Sequence, residues 1–203
     1  MLQLITDGLP VDLRERIELA LAILGAAGVP FVVQLRAKAA DGATLYAAAR
    51  ETILQLDGRA PLVINDRVDV ARAAGASGVH LPSRGLPVAR VRAAWPEALL
   101  GVSAHTPAEV AAAARDGASY VMYGPLSPTP GKPAIGWATL AEAVVAAQPQ
   151  PLYGIGGLDA RDLPRLREPG ARLACIRAGL GAPTLAEVEQ CLRALADAAR
   201  RCA

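Results

Sequence analysis

Ala74-Gly75-Ala76-Ser77-Gly78-Val79 returns later in the chain as Asp116-Gly117-Ala118-Ser119-Tyr120-Val121. In each copy a helical run stops at a glycine and an apolar run begins a few residues on. Glycine takes the left-handed conformation that ends helices, so each copy reads as a helix-to-strand joint. Gly170 stands in the same way ahead of another apolar run. A joint that recurs points to repeated βα units rather than to two unlike domains.

Working outward from these joints, strands are predicted at 2–5, 31–35, 62–64, 78–81, 99–103, 120–124, 152–156 and 172–176. Helices are predicted at 12–26, 44–56, 68–74, 87–95, 107–115, 137–147, 160–167 and 185–199. Thr106-Pro107-Ala108-Glu109 and Thr184-Leu185-Ala186-Glu187 each offer a hydroxyl N-cap with Glu at the third helical position, and Pro107 fits the tolerated first one. The first helix ends near Gly28 and Pro30. Eight right-handed βα units close into a barrel, whereas an open doubly wound sheet needs fewer strands or a clear switch point. The expected fold is therefore α/β, a single-domain (β/α)8 TIM barrel spanning 1–203. Its loops are short, since the chain lies near the lower end of the barrel range of about 200 to over 400 residues.

Composition narrows the function. Apolar residues make up 53% of the chain and aromatics only 3%, so the core is expected to be Ala, Val, Leu and Ile, and base-stacking platforms for nucleic acid are missing. A formal charge of +2 with mixed signs gives no tract that follows a phosphate backbone. Cys175, Cys191 and Cys202 are scattered without CxxC spacing and read as inert thiols of a reduced protein. No signal sequence and no uninterrupted apolar stretch of about 18 residues is visible, so a cytoplasmic protein with no membrane partner is expected.

In a barrel the carboxyl ends of the strands share one face, where chemistry is done. Gln34, Arg36 and Lys38 alternate at the second strand, so period-two geometry sends them to one side, an amide and two cations suited to a multiply charged anion. Asn65-Asp66-Arg67 closes the third strand, and Asp66 there is either a helix cap or a metal ligand. Ser103 and His105 follow the fifth strand; the serine offers a hydroxyl to a ligand, and the histidine reads equally as structural or catalytic. The loop 124–133 carries Thr129, Gly131 and Lys132 and is either a rigid turn or a cover over bound substrate. Gly154-Ile155-Gly156-Gly157 and Cys175-Ile176-Arg177 end the last two strands, where many barrels cup a phosphate with backbone N–H groups.

Taken together, Gln34-Leu35-Arg36-Ala37-Lys38, Ile64-Asn65-Asp66-Arg67, Gly78-Val79-His80-Leu81, Gly101-Val102-Ser103-Ala104-His105, the loop 124–132 and the glycines at 154–157 resemble the thiamine phosphate synthases and their relatives, the thiazole tautomerases. The resemblance runs in order from Thr6-Asp7 to the eighth strand. It implies an enzyme of thiamine biosynthesis that joins hydroxymethylpyrimidine diphosphate to a thiazole phosphate and releases diphosphate. Small-molecule phosphate and diphosphate substrates would be its partners, with a homodimer left open.

Carried over residue by residue, the resemblance assigns Gln34, Arg36, Lys38, Asn65, Ser103 and Lys132 to the pyrimidine diphosphate. It gives Thr129, at the loop position whose second threonine is here Gly131, to the thiazole phosphate, with Gly157, Ile176 and Arg177, and Asp66 to magnesium. Where the synthases place a second acidic magnesium ligand this chain has Gly85, preceded by Arg84. Leu81-Pro82-Ser83 is closer to the tautomerases, yet Pro125 stands where a tautomerase carries its histidine. A Schiff-base aldolase using Lys38 or Lys132, and a non-catalytic binder of thiamine phosphates, are the remaining alternatives.

Overall fold

A computed structural model describes residues 1–175 and 179–201. Strands β1 (Leu2–Ile5), β2 (Phe31–Leu35), β3 (Leu62–Asn65), β4 (Gly78–Leu81), β5 (Leu99–Ala104), β6 (Tyr120–Tyr123), β7 (Leu152–Gly154) and β8 (Arg172–Cys175) pair in chain order. Every pairing is parallel, and Gln3↔Ala174 between β1 and β8 closes the barrel. Helices α1 (Leu13–Ala26), α2 (Gly42–Leu56), α3 (Val68–Ala74), α4 (Val88–Ala94), α5 (Pro107–Arg115), α6 (Leu140–Ala147), α7 (Leu163–Arg167) and α8 (Leu185–Arg201) follow the strands in turn.

The local signals act as read. Gly75, Gly117 and Gly170 sit at φ of 75, 97 and 95°, ending their helices ahead of a strand. Thr106 Oγ1 accepts from Glu109 N at 3.2 Å, and Thr184 and Glu187 cap each other reciprocally. Along each strand, alternate residues face the helices. Leu4, Val33, Ile64, Val79, Leu100, Val121 and Leu173 are completely buried there, each contributing about 1.5–3 kcal/mol of transfer free energy.

Several boundaries move by one to three residues from expectation, and three of the shifts have a local cause. Strand β7 stops at Gly154 because Gly156 and Gly157 adopt φ of 98 and 64°, which no strand continues through. Helix α6 starts at Leu140, after a turn in which Leu140 N donates to Trp137 O. The seventh helix is entered through a short 3-10 turn, Ala160–Asp162, capped by Asp159. No helix among the described residues is long and apolar enough to cross a membrane.

The lumen departs from the aliphatic core that composition suggested. Ile5, Tyr120, Met122, Tyr153 and Ala174 form a separate small cluster there, beside the buried polar side chains of Gln3, Gln34 and His80. Gly101 on β5 leaves room for it: a Cβ there would fall inside the Tyr120 ring's own space.

Candidate active site

The carboxyl-terminal mouth of the barrel gathers most of the expected residues, with one correction. Strand β2 ends at Leu35, so Gln34 points into the lumen and is buried, while Lys38 lies in an exposed turn beyond the strand. The alternation of Gln34, Arg36 and Lys38 is thus not one strand face. Extended pairing carries on only as far as Arg36, whose N donates to Thr6 Oγ1 and whose O accepts from Gly8 N, each at 3.0 Å. That pairing sets Asp7, at the end of β1, against Arg36, with Nη1 to Oδ1 at 3.6 Å. Both partners are partly exposed, so this contact orients the guanidinium more than it stabilises the fold. Asp7 is a member of the site to which the sequence reading gave no role.

Asn65 and Ser103 reach the mouth from β3 and β5 and are joined beneath it. Gln34 Nε2 donates to Asn65 Oδ1 at 3.2 Å, and Gln3 Nε2 donates to Gln34 Oε1 at 3.3 Å and to Tyr120 Oη at 3.0 Å. Tyr120 Oη lies 3.2 Å from His80 Nδ1, and His80 Nε2 lies 2.8 Å from Ser103 Oγ. Burial, with Arg36 as the next cause, pushes the His80 imidazole down to about 3, and burial pushes the Tyr120 phenol up, so both are neutral. Gln3 and Tyr120 carried no sequence signal of function, since neither stands at the carboxyl end of a strand.

Asp66 is exposed and its carboxylate makes no hydrogen bond or ion pair among the described residues, while its backbone is left-handed at φ 67°. The capping alternative for it falls away: α3 has no side-chain cap, and its neighbour Arg67 pairs with Asp69 at 2.6 Å. A strained, unpartnered acid at a strand end is the kind of position function retains. Among the described residues no group of three or more His, Cys, Asp or Glu gathers. Magnesium keeps several waters and takes one or two carboxylates plus substrate phosphates, and a single exposed carboxylate such as Asp66 fits that donor set. Gly85 cannot be exchanged freely for an acid, because its N closes a turn onto Pro82 O at 2.8 Å and a Cβ there would meet Pro82 Cδ at 2.9 Å.

His105 bridges two elements. Its Nδ1 donates to Gly124 O at 2.5 Å and its backbone N donates to Glu109 Oε2 at 2.6 Å, tying the end of β5 to the loop after β6. That loop narrows to a tight tip in which Thr129 and Lys132 exchange backbone hydrogen bonds at 3.0 and 3.2 Å. Pro130 and Gly131 (φ 74°) fill the two central positions, the sequence of a type II turn, which requires glycine there. Lys132 is exposed and Thr129 half-buried.

The loops after β6 and β7 are laced together. Leu126 N donates to Ile155 O and Ser127 N to Gly156 O, at 2.9 and 3.0 Å. A Cβ on Gly156 would stand 2.4 Å from Pro125 Cβ, so the approach depends on glycine. The N–H groups of Gly156 and Gly157 have no acceptor among the described residues, an open pair of donors suited to an anion. Ile176 and Arg177 lie outside the described residues.

Just beyond them, Arg16 of α1 shapes the segment after β8. Nearly buried, it pairs with Asp12 at 2.6 Å and donates to the carbonyls of Leu180 and Ala182 at 2.8 and 2.5 Å and of Pro183 at 3.4 Å. A cleft of about 460 Å³ opens there between Asp7, Pro10 and residues 180–183.

Fold and site together define a (β/α)8 barrel whose carboxyl-terminal face carries Arg36, the Asp66 carboxylate and the Gly156 and Gly157 amides, with a buried hydrogen-bond network beneath. The chain belongs to the thiamine monophosphate synthase family, whose model matches residues 2–180. It is 40% identical over 187 residues to a thiamine-phosphate synthase of Gloeobacter violaceus, covering 89% of this chain and about half (53%) of that protein. A thiamine-phosphate synthase of Mycobacterium bovis is 39% identical over 175 residues, covering 78% of this chain and 79% of the other. Among solved structures, a thiamine phosphate pyrophosphorylase from Pyrococcus furiosus superposes with a TM-score of 0.84 at 27% identity, covering 98% of this chain and 95% of that one.

Proposed function

We propose that this protein is a thiamine-phosphate synthase, a transferase of thiamine biosynthesis that joins hydroxymethylpyrimidine diphosphate to a thiazole phosphate. The observation that carries the reading is the division of the barrel mouth within a family whose curated relatives bear the synthase name. Amides and cations lie on the β2, β3 and β5 side, and backbone donors with no acceptor among the described residues lie after β7.

In the reaction the C–O bond between the pyrimidine methylene and the diphosphate breaks, and the electron pair leaves with the diphosphate. The thiazole nitrogen then gives its lone pair to the pyrimidine carbocation, forming the C–N bond. The barrier lies in the growing charge on the leaving group, which fixed cations lower. Arg36, oriented by Asp7, and the exposed ammonium groups of Lys38 and Lys132 supply those cations. Gln34, Asn65 and Ser103 are assigned to the pyrimidine end, with Asn65 and Ser103 held in place by the hydrogen bonds beneath them. Thr129, Gly131 and Gly157 receive the thiazole phosphate, and Ile176 and Arg177, which follow Cys175 in sequence, are assigned to the same phosphate. Asp66, together with the substrate diphosphate, would hold magnesium, which when bound neutralises diphosphate oxygens.

The tautomerase reading loses ground because the relatives are named synthases. A Schiff-base aldolase needs a lysine activated by apolar burial, and Lys38 and Lys132 both stand exposed. The test mixes purified protein with hydroxymethylpyrimidine diphosphate, thiazole phosphate and magnesium and measures thiamine phosphate. No product under conditions that support a known synthase would refute the reading.

A further inference from the structure

Four side chains, Gln34, Gln3, Tyr120 and His80, link Asn65 to Ser103 through the interior of the barrel, and their hydrogen bonds have a direction. Gln3 is completely buried and uses both amide protons, one toward Gln34 and one toward Tyr120, while its Oε1 has no partner. Everything downstream follows from this source. On one branch Gln34 Oε1 accepts and its Nε2 donates on to Asn65 Oδ1, which leaves the Asn65 Nδ2 protons for the mouth. On the other branch Tyr120 Oη accepts from Gln3, so its own proton goes to His80 Nδ1. A neutral imidazole that accepts at Nδ1 carries its proton at Nε2, where Ser103 Oγ receives it at 2.8 Å. The Ser103 hydroxyl proton is then free to point outward.

We propose that Gln3, Tyr120 and His80 are positioning residues that orient the Asn65 amide and the Ser103 hydroxyl as hydrogen-bond donors, so that the site selects a ligand presenting acceptors at both. The network switches as one unit. Turning the Gln3 amide would reverse every bond in both branches and make Asn65 and Ser103 acceptors together, so neither mouth group changes character alone. Unprotonated ring nitrogens and diphosphate oxygens are such acceptors. A ligand offering only N–H groups at these two points is excluded. The identity of the ligand rests on the synthase reading above; the direction of the network does not.

Two measurements test this. The chain contains two histidines, so the nitrogen NMR spectrum of its imidazoles holds two residues, which a His105→Gln variant assigns. His80 is expected as the neutral tautomer protonated at Nε2, and replacing Tyr120 by Phe should shift its Nδ1 resonance. A proton on Nδ1, or a charged ring at neutral pH, overturns the proposal. The spectrum needs no substrate, so this result stands even if no thiamine phosphate is formed and the synthase reading fails.

With activity in hand, Tyr120→Phe is expected to lower kcat roughly tenfold with little change in KM, the loss of one directed hydrogen bond. In a Ser103→Ala background the same change should have almost no further effect, because Tyr120 acts through Ser103. Additive losses would overturn the proposal. Should Tyr120→Phe not fold, the tautomer of the unsubstituted protein decides alone.

Discussion

Gly101 and Tyr120 face each other across neighbouring strands, and a Cβ on Gly101 would stand 2.0 Å from Tyr120 Cζ and 2.2 Å from its Oη. The ring lies where a side chain would be, which is what brings its hydroxyl between Gln3 and His80. Gly101→Ala is therefore expected to destabilise the protein by about 2 kcal/mol through overpacking. It should also cost more turnover than its stability loss explains. Thermal unfolding and steady-state kinetics on one preparation check this, and an unchanged kcat would show the ring has somewhere else to go.

The pH dependence of stability isolates His80. An unfolded histidine titrates near 6.5, whereas burial and then Arg36 hold the folded one to about 3. Between these values the unfolded chain binds the extra proton. Stability is therefore fully present above about 6.5 and falls on acidification, at a limiting slope of about 1.4 kcal/mol per pH unit. Asp69, held to about 2 by its hydrogen bonds from Arg67, gives up its contribution only at more acid pH. Urea unfolding at pH 7, 6 and 5 should show the loss in the native protein and much less in His80→Gln. Equal slopes would mean the ring is charged in the fold.

Asp66 separates function from stability. It is exposed and left-handed, its carboxylate makes no hydrogen bond among the described residues, and asparagine tolerates that backbone. Asp66→Asn should leave the unfolding free energy within about 0.5 kcal/mol and lower synthase turnover roughly a hundredfold at limiting magnesium. Titrating magnesium against rate is the check. Retained turnover would place the ion elsewhere or on the substrate alone.

Arg16 does the reverse. Arg16→Met would leave Asp12 and three carbonyls of residues 180–183 without their donor, and a loss of about 3 kcal/mol is expected. Because that segment follows β8, KM for the thiazole phosphate should rise while KM for the pyrimidine diphosphate stays near its native value.

What the sequence made legible was local. Glycine joints at Gly75, Gly117 and Gly170 and the hydroxyl caps at Thr106 and Thr184 depend on neighbours a few residues away, so they locate elements without any knowledge of tertiary contacts. The barrel follows once eight such units are counted. Mouth residues such as Asn65 and Ser103 were readable because strand ends share a face. Gln3, Tyr120 and Arg16 were not, because their partners lie far along the chain and become neighbours only when β1 meets β8 and α1 meets the last loop. Lys38 misled for the opposite reason: period two holds only while the strand lasts, and β2 stops at Leu35.

The lacing of the loops after β6 and β7 has a consequence for anyone recombining such barrels. A crossover placed between those strands would look natural on the βα repeat, yet it would part Leu126 and Ser127 from the carbonyls of Ile155 and Gly156, and Pro125 from the glycine it rests on. The transferable module is therefore not one βα unit but the pair, from β6 through the start of the seventh helix, and it has to be inherited or grafted whole.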